Sequence, residues 1–183
     1  MATSTGAAPT SSPVPTGPLI SPRLVHAGFF ALRIYVGLVF LSNGLAKVFN
    51  RQSTTWGPFS FSLITRGSAK NIAEGAAAHS HIAGVSSFYR NTVIPNWGFF
   101  GAFLTAAELA LGVALLLGIL TRVASVGGLL LLAPIWVMLW HTGDYLWDYP
   151  ADLAPLVLLA VIPTGRILGL DALLHRRIPH WPF

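Results

Sequence analysis

Residues 97–120 read WGFFGAFLTAAELALGVALLLGIL, an apolar run whose only formal charge is Glu108. A helix over this run is long enough to cross the hydrocarbon core of a bilayer, which takes about 20 apolar residues. A carboxylate near the bilayer centre costs roughly 2.5–3.5 kcal/mol on insertion scales, so it turns toward the protein interior and finds a partner or a task. The chain is therefore expected to fold within a membrane around an intramembrane polar site.

Composition agrees. The 183 residues are 54% hydrophobic and 9% charged, with a mean hydropathy of +0.65, against about a quarter charged in soluble domains. Four apolar segments lie at about residues 24–49, 97–120, 123–140 and 149–170. The second and third are separated only by Thr121 and Arg122, and Pro155 and Pro163 should kink the fourth. The expected fold is an all-α membrane protein: a four-helix transmembrane bundle with a long loop or capping segment, residues 50–96, between helices 1 and 2. Helix formers and an apolar side in residues 71–90, with Trp56, Phe59, Phe61, Phe88 and Tyr89, suggest that this segment lies on the membrane surface or packs as a cap. Residues 1–22, rich in Ala, Ser, Thr and Pro, read as a disordered tail. Residues 23–175 form the membrane domain and 176–183 a short C-terminal tail.

The net charge of +5 comes from singly scattered Arg and Lys, with no basic stripe, so nucleic acid is excluded as a partner. Such residues flank membrane spans instead. Arg23, Arg122, Arg166, Arg176 and Arg177 fall on one side, and Lys47, Arg51, Arg66, Lys70 and Arg90 on the other. Lys70 lies beyond the roughly 15–20-residue window that sets topology, which favours both termini in the cytoplasm. The chain contains no cysteine, which rules out thiolate-held iron–sulfur clusters and a dithiol relay.

Two candidate groups for chemistry lie inside the bundle. Arg33 sits among apolar residues of helix 1, and Asn43 and Lys47 lie toward its far end. With helices 1 and 2 antiparallel and their ends aligned, a rise of ~1.5 Å per residue puts Arg33 and Glu108 within about 5 Å in depth. Two readings stand: an Arg33–Glu108 pair inside the bundle, or Arg33 reaching back to the interface and Glu108 protonated. In and just after the third loop, His141, Asp144, Asp148 and Asp152 sit among Tyr145 and Trp147. These residues could form an aromatic belt with solvated charges, a metal site, a proton exit, or a flank for a flat quinone ring. His26 and His141 fall at opposite faces, so no bis-His haem is expected. His79 and His81 could bind zinc but read more simply as solvated side chains.

Several stretches resemble the DoxX/DoxD-like family of small membrane proteins. Helix 1 carries Arg33, Gly37, Phe40, Gly44 and Lys47. Next come Pro95-Asn96, Glu108-Leu109-Ala110-Leu111-Gly112 and Leu117-Gly118-Ile119-Leu120-Thr121-Arg122, and near the end Gly165-Arg166 and Leu170-Asp171-Ala172-Leu173. The resemblance covers roughly residues 24–174. It implies a bacterial cytoplasmic membrane protein tied to respiratory or sulfur redox chemistry, the DoxD branch being the small subunit of a thiosulfate:quinone oxidoreductase. The expected function is thus a membrane subunit of a quinone-linked oxidoreductase, with quinone as cofactor, other membrane subunits as partners, and Glu108 and Arg33 as catalytic residues. Tyr145, Trp147 and His141 would hold the quinone. A non-catalytic accessory or assembly subunit is the alternative, and a small-solute carrier is a third reading.

Overall fold

The computed structural model describes residues 21–140, 143 and 149–177. Helix α1, Pro22–Phe49, begins where Ser21 accepts the Leu24 amide and Pro22 fills the first turn, a position that has no N–H to lose. It ends at Asn50, which adopts φ 52° and returns its amide to Ala46. Its buried stripe, Arg33, Val36, Gly37, Phe40, Gly44 and Lys47, repeats every three or four residues, as one helical face requires.

That stripe faces a later helix, Trp97–Leu117, which is α4 in chain order. The two run antiparallel and very close. A Cβ added at Gly37 would meet Leu116, one at Gly44 would meet Leu109, and one at Gly112 would lie 2.6 Å from the Leu41 amide nitrogen. Glycines at such crossings let helix backbones approach. Gly112→Ala therefore forces a backbone shift and should lower stability by about 1–3 kcal/mol. Gly98→Ala in the same helix meets nothing within 4 Å and should cause no loss. Parallel unfolding titrations of the two variants in detergent test the contrast.

Helix α4 stops at Leu117 because Gly118 turns left-handed at φ 64°. The amides of Gly118 and Ile119 return to Leu115 and Ala114, a Schellman closure. Helix α5, Thr121–Met138, follows at once, so the turn is residues 118–120 rather than Thr121 and Arg122. Helix α6, Tyr149–Val161, ends before Pro163, which cannot donate a helical hydrogen bond. Beyond it lie a 3₁₀ turn, Thr164–Arg166, and a short helix α7, Asp171–Arg177. The fourth apolar segment is thus not one kinked helix over 149–170. Arg122 fills the vacancy at the end of α6, donating to the carbonyls of Ala160 at 3.1 Å and Val161 at 2.7 Å.

Helices α1, α4, α5 and α6 pack in a ring, α1 on α4, α4 on α5, α5 on α6 and α6 on α1. Their core holds Val36, Phe40, Leu115, Ala124, Leu156 and Leu159. Helices α1, α4 and α5 are long and apolar enough to cross a membrane. Most of their apolar surface faces outward: only 22–28% of each candidate span is buried in the protein. Such surface needs lipid as its solvent. Helix α6 is apolar but shorter, at 13 residues.

Residues 50–96 begin with a hairpin, β1 (Ser53–Trp56) and β2 (Phe59–Ser62), paired antiparallel. Its turn is Gly57, at φ 58°, with Pro58. Helix α2, Arg66–His79, starts at the Thr65 cap. Helix α3, Ala83–Phe88, and a π-helical turn, Tyr89–Val93, lead into α4. Ala76 and Ala77 of α2 are buried against Met138 at the end of α5. The segment packs as a cap, as its aromatic content suggested, but of those aromatics only Tyr89 joins the packed cluster, beside the alanines, Val85 and Ile94, while Trp56, Phe59, Phe61 and Phe88 stay exposed.

Candidate functional site

Glu108 is buried on the α1-facing side of α4, and its partner is Lys47. The ammonium lies 3.0 Å from Oε1 and 2.8 Å from Oε2, and the two side chains are 0% and 11% exposed. The Oε2 contact is close but off the hydrogen-bond angle, so this oxygen keeps an unused acceptor position. Lys47 also donates to the Ile64 carbonyl at 2.9 Å, while Asn43 accepts the Ile64 amide at 2.9 Å. One helical turn apart, Asn43 and Lys47 thereby hold both backbone polar groups of Ile64. Arg66 reaches Thr105, one turn before Glu108.

The pair lies on the wall of a cavity of about 890 Å³ whose lining is otherwise largely apolar and aromatic, including Tyr89, Trp97, Phe100, Phe103 and Trp136. This volume falls within the roughly 300–1,000 Å³ range of small-molecule sites. Phe103 of α4 and Leu130 of α5, both on its rim, are 57% and 68% exposed, so the cavity opens sideways between these helices. Burial pushes the Tyr89 phenol upward from its ordinary value, so it stays neutral and able to donate. A second cavity of about 190 Å³ is lined by Tyr35, Asn43, Glu108 and Asp152, among others. Glu108 and Asp152 border both cavities.

Arg33 does not pair with Glu108. The glycine contacts set Gly37 opposite Leu116 and Gly44 opposite Leu109. Arg33 is then level with the α4–α5 turn, and Glu108 lies ~18 Å away along the helix axis. Aligning helix ends misses this, because the first turns of α1 extend past the end of α4. Arg33 is fully buried and donates to the carbonyls of Thr164 at 2.7 Å, Ile167 at 3.0 Å and Leu168 at 3.2 Å. Its guanidinium is spent on these carbonyls, and it lines neither cavity.

Close by, the buried Asp171 carboxylate accepts the amides of Leu120 at 2.6 Å and Thr121 at 3.0 Å. It thereby satisfies donors at the start of α5 and holds Leu120 at φ 50°, a conformation costly for a residue with a Cβ. Gly118, Gly165 and Gly169 leave room for this cluster. A Cβ on Gly118 would lie 2.7 Å from Arg33, and one on Gly165 would overlap Asp171 and Thr121. The cluster is a structural lock that ties the start of α1 to the α4–α5 turn and the chain after α6.

His141, Asp144, Tyr145, Trp147 and Asp148 lie outside the described residues. His79 turns back to the Gly75 carbonyl at 2.9 Å, and no group of three or more metal-ligating residues occurs among the described ones. Sequence reasoning noted Lys47 and Asp152 but gave neither a place beside Glu108. The signal for Lys47 was present in its position on the stripe of Gly37, Phe40 and Gly44.

A helical fold with three candidate spans and lipid-compatible outer surfaces defines an integral membrane protein. The family model DoxX matches residues 28–141, which take in most of α1 and all of α2 through α5, with Lys47 and Glu108. The chain belongs to the DoxX family. Neither the curated proteins nor the solved structures include a match to it.

Proposed function

We propose that this protein is a quinone-binding membrane subunit of an oxidoreductase complex, with a fourth short span in α6 and both termini cytoplasmic. The observation that carries the reading is the Lys47–Glu108 pair on the wall of an aromatic cavity. The fit is chemical. Flat aromatic and aliphatic walls suit an apolar ring, an ammonium donates to a ring carbonyl, and the unused Glu108 oxygen accepts from a ring hydroxyl. The sideways opening suits a ligand that arrives from the lipid. A bound quinone would supply two-electron, two-proton redox chemistry, with electrons exchanged with a carrier on another subunit.

In this reading Glu108 takes or returns one proton at the ring edge, and Lys47 keeps the carboxylate oriented. Asp152, which borders both cavities with Glu108, passes the proton onward through the smaller one. Arg33 carries no catalytic role and belongs to the structural lock. Thiosulfate as electron donor is the finer version of the proposal, tested by assaying the purified complex with thiosulfate and a soluble quinone.

The decisive experiment titrates the tagged protein in nanodiscs with a short-tailed benzoquinone and its quinol, read by tryptophan fluorescence. Both forms should bind. Glu108→Gln should weaken the quinol about tenfold relative to the quinone, the loss of one charge-assisted hydrogen bond. Absence of binding by either form overturns the reading. Unchanged quinol affinity in the variant removes Glu108 from proton handling and favours the accessory-subunit role.

A further inference from the structure

The β1–β2 hairpin has two chemically distinct faces. Its register pairs Ser53 with Ser62, Thr54 with Phe61, Thr55 with Ser60 and Trp56 with Phe59. Directly paired residues share a face and alternate residues lie on opposite faces. Thr54, Trp56, Phe59 and Phe61 therefore form one face, and Ser53, Thr55, Ser60 and Ser62 the other. The Phe59 and Phe61 rings lie 6.4 Å apart. Trp56, Phe59 and Phe61 remain 79%, 65% and 50% exposed. An isolated two-stranded hairpin is marginal in water, so its aromatic face needs a cover from outside the described chain.

Position identifies that cover. Residues 50–52 alone join the membrane-spanning α1 to β1, a reach of at most about 11 Å. The other end is fixed at Ile64, held by Asn43 and Lys47 in the last turns of the same helix. Both ends of the hairpin are thus pinned to the last turns of α1, a candidate membrane span. Arg51, exposed immediately before β1, adds a positive charge of the kind that attracts anionic lipid phosphates. A protein partner fits less well: three aromatic side chains bury roughly 150–250 Å² each even when fully covered, short of the ~800 Å² per partner of a stable interface.

We propose that the hairpin is a lipid-binding element. Its aromatic face lies in the headgroup–acyl boundary, its hydroxyl face looks to water, and Arg51 contacts anionic headgroups. Aromatic rings favour this layer, where one side is apolar and the other wet. Because Ile64 lines both cavities, the anchored hairpin also fixes the depth of the cavity rim.

The absence of cysteine makes a single introduced thiol unique. Phe59→Cys and Ser60→Cys, both at exposed positions, would each be labelled with a fluorophore. The labelled full-length chains would be placed in nanodiscs of phosphatidylcholine and phosphatidylglycerol. Lipids brominated near the headgroup should quench the label at position 59 severalfold more than that at position 60, and aqueous iodide should do the reverse. Equal quenching by iodide at both positions overturns the proposal, because it puts the aromatic face in water. Shielding of position 59 from both quenchers also overturns it, because a protein surface then covers that face. Arg51→Gln should reduce enrichment of brominated phosphatidylglycerol around position 59, and unchanged enrichment overturns the headgroup contact.

Discussion

Asp171→Ala should lower the stability of this protein in detergent by about 3–5 kcal/mol, the cost of breaking a buried charged hydrogen-bond cluster. Two amides, those of Leu120 and Thr121, lose their acceptor at the start of α5. The cluster packs tightly around the fully buried Arg33, whose carbonyl partners Thr164, Ile167 and Leu168 lie just before Asp171, so this arrangement loosens as well. Leu120 sits at φ 50°, and without the Asp171 contact nothing offsets the strain of that backbone. Asp171→Asn keeps one oxygen acceptor and should recover part of the loss. Denaturant titrations followed by circular dichroism give the comparison. A loss below about 1 kcal/mol for the alanine variant would show that the lock does not hold the helix ends.

Lys47→Met should also destabilise by about 3–5 kcal/mol, because it leaves the buried Glu108 carboxylate without its counter-charge. The double variant Lys47→Met/Glu108→Gln should regain most of that loss, since a neutral amide can be buried where a lone carboxylate cannot. The same double variant should still bind quinol about tenfold more weakly relative to quinone, as Glu108→Gln does. A double-mutant cycle in nanodiscs measures the coupling. Additive single and double effects would mean that the pair, though close, is not an energetic unit. Recovery of the fold without recovery of ligand preference would separate the structural role of the pair from its role toward a ligand.

Glu108 was legible in the sequence because hydrophobic context makes one carboxylate conspicuous whatever the details of packing. The helices were legible for the same reason, and so was the α1 stripe through its three-and-four spacing. The hairpin left a local trace as well: Phe59, Ser60, Phe61 and Ser62 alternate with period two after a Gly57–Pro58 turn. Two strands of four residues each make too short a run of alternation to stand apart from the apolar helical segments around it. Asp171 was recognisable as part of a family motif, yet its task was hidden. It acts on amides about 50 positions earlier, a distance in sequence that no local pattern encodes.

The sequence by itself determined the membrane class, the approximate spans and the presence of a buried acid. These follow from the transfer energetics of residues taken one segment at a time. Only the tertiary structure decided which charges meet. Arg33 and Lys47 are both basic residues on one face of α1, and either could have answered Glu108. The choice rests on the axial register of α1 against α4, fixed where Gly37, Gly44 and Gly112 admit Leu116, Leu109 and Leu41. Sliding one helix by a few turns would exchange the partners. Close packing at three glycines prevents that slide, placing Lys47 at the cavity and Arg33 in the lock.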